Sequence, residues 1–275
     1  MSFGIRLKQE LRGVIPDFLV DFLPKRYVRL GSIAIIRLKN ELLNYKELIG
    51  NHLLAYESRV KTVFLQKTTS GVTRLPEMEF ICGENNSITL HKEADTKFWI
   101  DVTKHTFSPG NHSERIRMMN LIQDGENVLD MFAALGNLSL IAANHKKAQF
   151  LGIELAKRTF DYLIKNINEN GLESNFIALN GDNRNLAPEK QFDRVIMGFF
   201  ECDELQLEAA FKAIKNQGII HLHEAVPNHL WDRIDEKVKL VAEVTQCKIL
   251  SMNIHRQKKY SPGVDHIIAD IEIKR

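Results

Sequence analysis

Thirteen residues, Val128-Leu-Asp-Met-Phe-Ala-Ala-Leu-Gly-Asn-Leu-Ser-Leu140, constrain this chain more than any other stretch. A short apolar run ends in Asp130, a turn of small residues follows, and an amphipathic segment opens at Asn137. A second apolar run, Gln149 to Ile153, ends at Glu154, 24 residues after Asp130. This is the layout of a nucleotide site at the first strand–helix crossover of a doubly wound sheet. The acid after the second strand can accept hydrogen bonds from both hydroxyls of a ribose. Asp130 lies where the ammonium group of a ligand would approach.

A dinucleotide site wants G-x-G-x-x-G, because a pyrophosphate needs the backbone to come close. Here only Gly136 is present, with Ala133 and Ala134 before it. S-adenosylmethionine (AdoMet) has no phosphate, so one glycine between two acids fits it better than NAD. A plain strand–helix turn of an α/β protein is the simpler alternative.

At 275 residues the chain makes one large domain or two ordinary ones. A hydrophobic share of 44% and a charged share of 26% are those of a globular protein. No apolar run approaches the ~18 residues that span a bilayer, so no membrane partner is expected. The segment Met1-Ser-Phe-Gly-Ile-Arg-Leu-Lys8 carries no secretory apolar region. Cys82, Cys202 and Cys247 are far apart and odd in number, which points to a reduced, cytoplasmic setting and to no metal. The net charge of +2 is unevenly placed. Residues 1–74 hold 13 Lys/Arg against 6 Asp/Glu, and the remainder 24 against 29. Such asymmetry suits a polyanion partner, or simply a solvated basic face.

The pattern divides into three. Residues 1–30 mix Arg, Lys and Pro with short apolar runs and are expected to form a basic arm with a short helix. Residues 31–106 form a small α+β unit. Val28 to Leu38 is β-rich, Glu41 to about Tyr56 is helical, and four strand-like runs follow: Thr62–Gln66, Glu79–Cys82, Ser87–His91 and Lys97–Val102. Turn signals at Ser70-Gly71 and at Gly83 to Asn86 separate them. Residues 107–275 then alternate. Strands are expected at Asn127–Met131, Gln149–Ile153, Asn175–Leu179, Arg194–Met197 and Ile219–Leu222. Helices are expected at His112–Ile122 and at about 137–145, 156–170, 203–215 and 228–246. Two late strands, Cys247–His255 and Asp265–Lys274, flank Ser261-Pro-Gly263 and can close the sheet as an antiparallel hairpin. The fold class is therefore α/β: a Rossmann-like AdoMet-dependent transferase domain behind a smaller N-terminal α+β domain.

Several side chains can carry chemistry. In Phe107-Ser-Pro-Gly-Asn-His-Ser-Glu-Arg115 a turn ends at a helix N-terminus, which favours an anion. Arg115, one turn in, can grip a carboxylate with two prongs. Taken alone, an ordinary cap with Glu114 in the first turn and a solvated Arg115 is the simpler reading. After the third strand, Asp182 and Asn183 can reach an adenine amino group, or make an ordinary polar turn. Phe132 can cover the adenine face or fill core. Where many base-modifying methyltransferases carry an Asn/Asp-Pro-Pro-aromatic motif, this chain reads Met197-Gly-Phe-Phe200, which disfavours methylation of an amine. The next strand ends in His221-Leu-His-Glu224. His223 and Glu224 can act as general base or position substrate, or form a satisfied polar pair. His221 and His223 lack a third ligand for a metal.

Together Phe107-Ser-Pro-Gly-Asn-x-x-Glu-Arg115, Asp130-Met-Phe-Ala-x-x-Gly136, Asp182-Asn-Arg184, Val195-Ile-Met-Gly198, Ile220-His-Leu-His-Glu224 and Tyr260-Ser-Pro-Gly-Val264 resemble the archaeal wybutosine-pathway aminocarboxypropyltransferases. That family is related to the tRNA position-37 guanine N1-methyltransferases, which carry Asn-Leu-Pro where this chain has Met197-Gly-Phe199. The resemblance runs from about residue 20 to the end. It implies that Ser108 and Arg115 contact the aminocarboxypropyl end of AdoMet, Glu154 the ribose, and Asp182 and Asn183 the adenine. It implies transfer of the 3-amino-3-carboxypropyl group to carbon 7 of 4-demethylwyosine at tRNA position 37, with methylthioadenosine released. Glu114, His223 and Glu224 are the candidates for a base, tRNA is the partner, and a monomer is expected. One departure is Ala134, where the family usually has Gly. The alternatives are the N1-methyltransferase, and a non-catalytic AdoMet- or RNA-binding module.

Overall fold

The computed structural model of the protein describes residues 1–70 and 75–275, so the turn expected at Ser70-Gly71 runs outside the described residues. The chain forms two compact units, residues 1–93 with 97–109, and residues 94–96 with 110–275.

The first unit holds α1 (Phe3–Leu11), α2 (Asp17–Val20), β1 (Val28–Leu30), β2 (Ile33–Ile36), a 3-10 helix (Asn40–Tyr45), α3 (Lys46–Tyr56), β3 (Thr62–Ser70), β4 (Leu75–Gly83), β5 (Ile88–Glu93) and β6 (Thr96–Asp101). Its larger sheet has the order β1-β2-β3-β4, and β5 pairs with β6. The single β-rich run expected at Val28–Leu38 is a hairpin. It turns at Gly31, which has a φ of 52° and where a Cβ would stand 2.1 Å from Thr89 Oγ1. Only glycine meets both demands. Residues 1–30 are not a separate arm. Phe3, Leu7 and Leu11 recur every four residues along α1, forming an apolar stripe. That stripe is buried with Leu19, Leu23, Ile36, Leu42, Ile49 and Leu53 in one core. The basic residues of this segment ride on the outside of a folded unit.

The second unit is the alternating one. It holds α4 (His112–Leu121), β7 (Asn127–Asp130), α5 (Leu140–His145), β8 (Gln149–Glu154), α6 (Lys157–Glu169), β9 (Phe176–Asn180), α7 (Asn183–Leu186), β10 (Phe192–Met197), α8 (Glu204–Ala213), β11 (Ile214–Pro227), α9 (Asp232–Thr245), β12 (Lys248–Ser261) and β13 (Val264–Lys274). The sheet order is β12-β13-β11-β10-β7-β8-β9. The strands β7 to β11 run parallel, and β13 is antiparallel to both its neighbours, as expected for a closing hairpin. The chain winds outward from β7 through β9, then returns to β10 and winds the other way. That reversal opens a crevice between the carboxyl ends of β7 and β10.

Each strand sends alternate residues to opposite faces. On one face Leu207, Phe211, Val238 and Val241 of α8 and α9 pack with Val195, Ile220, Leu222, Ile267 and Ile271. The other face of β10, β11 and β13 carries buried polar residues beneath α4, and these belong to the candidate site.

Candidate functional site

The crevice is built around two acids. Asp130 ends β7 and is buried. Its Oδ1 accepts from the Phe132 N–H at 3.2 Å, and its Oδ2 from the Ser139 hydroxyl at 2.7 Å. Glu154 ends β8. Its Oε2 accepts from the Ala134 N–H at 3.0 Å and its Oε1 from the Ala156 N–H at 2.8 Å. The turn between the acids is shaped by φ values of 48° at Ala134 and 87° at Gly136. Ala134 is thus an L-residue held in the left-handed region, which costs about 1–2 kcal/mol. Its own N–H bond to Glu154 is what that backbone twist presents.

Burial raises Glu154 above the usual carboxylate range. Burial also raises Asp130 to about 6, against the pull of the Ser139 and Phe132 hydrogen bonds. Both shifts say that each site disfavours bare negative charge, which suits a cationic ligand. For Asp130 the sign is clear. A raised folded value means that stability falls as pH climbs from the ordinary carboxylate value through about 6, by roughly 3 kcal/mol in total. Asp130→Asn removes this cost while Ser139 turns its hydroxyl to accept. We expect the variant to be more stable than the parent above pH 7 and equal to it near pH 4. We also expect its AdoMet affinity to be reduced. Urea unfolding at the two pH values, paired with calorimetry, checks this, and equal stability at both refutes it.

Asp182 and Asn183, expected at an adenine, are both engaged with other parts of the chain. Asp182 caps the short helix α7, accepting from the Arg184 N–H at 2.9 Å, and pairs with the Arg184 guanidinium. That guanidinium holds its carboxyl below the usual range. Asn183 is buried; its Nδ2 donates to the Met131 carbonyl at 2.7 Å and its Oδ1 accepts from Gln206 Nε2 at 3.2 Å. Its amide therefore ties the β7 turn to α7 and α8. Phe132 stacks on Phe199 with ring centres 5.3 Å apart and planes 21° apart. This pair joins the turn after β7 to the loop after β10, which lacks the Asn-Pro motif.

A second polar assembly lies under α4. Arg115 is buried, the largest of the fully buried side chains. Glu114 is buried and held by Arg117 through two bonds of 2.8 and 2.9 Å. Burial raises its carboxyl, but His223 and Arg117 beside it outweigh this and bring it down to about 2. Arg117 also clamps Asp270 at 2.7 and 3.1 Å. Asp270 Oδ1 stands 2.5 Å from His221 Nδ1, and His221 Nε2 stands 2.7 Å from Arg194 Nη1. Arg194 in turn grips Glu126 at 2.8 and 2.9 Å. This chain of charges joins α4, β13, β11 and β10 to the start of β7.

Glu114 and His223 are brought together, with His223 Nε2 3.5 Å from Glu114 Oε1. Glu224 does not join them. As the next residue on β11 it points to the opposite face, where it pairs with Lys237 Nζ at 2.7 Å beside Cys202. Its expected role as a base beside His223 is corrected accordingly. Ser108 belongs to the first unit, which ends at Pro109. Sequence reasoning missed Arg117, Arg194, Asp270 and His266. The signal was present on β13, where His266 and Asp270 stand four residues apart in a run that is otherwise mostly apolar. Polar residues on one face of a buried strand need partners.

Residues 89–250 match the family described as the TRM5/TYW2 methyltransferase domain, and residues 7–86 match the TYW2 N-terminal domain. Over 98% of its length the chain is 36% identical to the tRNA(Phe) (4-demethylwyosine(37)-C(7)) aminocarboxypropyltransferase of Pyrococcus horikoshii, and covers 96% of it. It is 31% identical, over 94% of its length, to the tRNA (guanine(37)-N(1))-methyltransferase Trm5b of Pyrococcus abyssi, covering 78% of that protein. The crystal structure of P. horikoshii TYW2 in complex with MeSAdo superposes with a TM-score of 0.86 at 33% identity, covering 98% of this chain and 99% of that one.

Proposed function

The chain belongs to the TRM5/TYW2 family, and on that premise we propose that its chemistry is transfer of the 3-amino-3-carboxypropyl group of AdoMet. The acceptor is carbon 7 of 4-demethylwyosine at position 37 of tRNA, and methylthioadenosine leaves. The observation that carries this reading is full-length similarity to the aminocarboxypropyltransferase, in both units, together with Met197-Gly-Phe199 where a methyltransferase grips a ring nitrogen.

The reaction needs little beyond placement. A sulfonium activates all three of its carbons, and the one facing the nucleophile reacts. Carbon 7 supplies an electron pair to the chain carbon, the carbon–sulfur bond breaks, and its pair neutralises sulfur. Asp130 and Arg115 take opposite ends of the moving group, its ammonium and its carboxylate. Glu154 holds the ribose hydroxyls, Phe132 covers the adenine, and Asp182 and Asn183 form the edge of the adenine slot. The target base is reached by splaying it out of a single-stranded loop. The basic first unit holds backbone phosphates, so tRNA affinity falls with salt. The enzyme works as a monomer in the cytoplasm. Among the described residues no helix is long and apolar enough to cross a membrane.

The relationship to Trm5b keeps one second reading in view, methylation of guanine N1. Incubation with tRNA and AdoMet labelled separately on the methyl and carboxyl carbons separates the two. Carboxyl label should enter tRNA carrying the tricyclic base, with methylthioadenosine formed one for one. Methyl label entering tRNA with plain guanine at position 37 would establish the methyltransferase instead.

A further inference from the structure

Two buried histidines continue the line from Glu114. His223 Nδ1 stands 3.1 Å from His266 Nε2. Glu114, gripped by Arg117 and held ionised at about 2, can only accept. The nitrogen of His223 that faces it, Nε2, stands 3.5 Å from the carboxylate, an ion-pair distance without a hydrogen bond, so the negative charge favours the proton on that nitrogen and Nδ1 is left to accept. His266 Nε2 must then donate, which leaves the lone pair of His266 on Nδ1. That atom is buried and has no hydrogen-bond partner among the described residues. A buried acceptor left open is costly unless something uses it.

Its position suits a use. On β11, Leu222 lies level with Met197, the last residue of β10. His266 pairs with Ala225, three residues further on, and so stands beyond the carboxyl end of β10. The ring of Phe200, in the loop leaving β10, lies across it with centres 4.6 Å apart. Ligands of doubly wound sheets bind at this level.

We propose, resting on the transfer reaction above, that His266 Nδ1 takes the proton from carbon 7, with Glu114 and His223 as positioning residues that fix its tautomer. After attack, carbon 7 is tetrahedral and the ring carries the positive charge that sulfur has lost. His266 Nδ1 takes the hydrogen as a proton, the carbon–hydrogen pair restores the aromatic ring, and the imidazolium carries the charge. Glu114, two residues along the relay, stabilises that imidazolium. Burial, with the Lys258 ammonium on β12 beside it, lowers His266 to about 3 despite Glu114. It is thus neutral at working pH. A weak neutral base suffices, because a proton on a cationic ring carbon is strongly acidic.

The test uses the full chain. In single-turnover assays with carboxyl-labelled AdoMet, His266→Ala should slow transfer by about 10²-fold or more, the range of a lost general base. AdoMet and tRNA affinities should stay unchanged. Added imidazole should restore part of the rate, and tRNA deuterated at carbon 7 should react more slowly in the variant but not in the parent. An unchanged rate, or a loss that imidazole leaves untouched and that shows no isotope effect, overturns the proposal. Should the variant fail to fold, nitrogen-15 correlation spectra of the parent decide. They should show His266 protonated on Nε2 only, and protonation on Nδ1 overturns the assignment. Absence of carboxyl transfer by the parent itself would instead overturn the reaction on which the proposal rests.

Discussion

Replacing Asp270 with alanine should destabilise the protein by about 1–3 kcal/mol at neutral pH, the scale for leaving charged hydrogen-bonding groups of a half-buried cluster unsatisfied. Asp270 sits between two cationic or polar groups that have few other outlets. It accepts twice from Arg117 and once faces His221 Nδ1, and His221 is itself buried. Removing the carboxylate leaves the Arg117 charge shared with Glu114 alone and strands the inner nitrogen of His221. Asp270→Asn should cost less, because its amide oxygen keeps one acceptor. The pH dependence identifies the cause. Burial raises Asp270, but His221 and Arg117 together hold it far below the usual carboxylate range. Glu114 is likewise depressed, to about 2. A depressed carboxyl contributes stability that is complete above its unfolded value, about 4, and fades as pH falls through its folded value. The difference between parent and Asp270→Ala should therefore be full at pH 7 and shrink below pH 4. Urea unfolding at pH 7 and pH 3 measures it. A pH-independent gap would mean that the aspartate acts through packing and not through charge.

That charge chain also marks the limit of what the sequence discloses. The strands and helices of the second unit were legible because each is a local pattern: an apolar run, then a period of 3.6, then a Gly stop, as at Asn170-Gly171. The acid pair was legible because one crossover fixes the spacing of Asp130 and Glu154. Arg117 and Asp270 are 153 residues apart, Arg194 and Glu126 68, and His221 and Asp270 49. Nothing local links them, and only the strand order brings them together. Glu224 shows a different failure. It was read as the carboxyl end of a strand facing the crevice, but β11 runs on to Pro227 and a period of two sends Glu224 away from His223. The arm expected at residues 1–30 failed because charge was weighed above pattern. Phe3, Leu7 and Leu11 already spelled a buried helical stripe. The short helix α7 was hidden because Gly181-Asp-Asn-Arg184 is equally good turn sequence, and the Asp182 side chain settles it by capping.

The largest effect on activity is expected at Arg115. This guanidinium is almost wholly buried, at 1% exposure, so its charge is carried at a cost that function or structure must offset. The moving group of AdoMet ends in a carboxylate, which keeps its charge while the carbon–sulfur bond breaks. An unpaired buried charge at that moment would raise the barrier. Arg115→Ala should therefore slow aminocarboxypropyl transfer by about 10²–10³-fold, the loss seen when one preorganised charge-stabilising donor is removed. The tRNA affinity should change little, because the proposed reading gives the backbone phosphates to the basic first unit and not to this side chain. Arg115→Lys should recover only a small part, since a point charge cannot reproduce a planar two-pronged grip. The split between reaction steps is the informative readout. A residue holding only the resting cofactor would raise KM for AdoMet and spare kcat, whereas one that follows the group to its acceptor lowers kcat as well. Stopped-time single-turnover assays with carboxyl-labelled AdoMet at saturation measure this directly. Folding is controlled by the melting transition of each variant and by its tRNA binding. Full transfer by Arg115→Ala at saturating AdoMet would show that the carboxylate is held elsewhere.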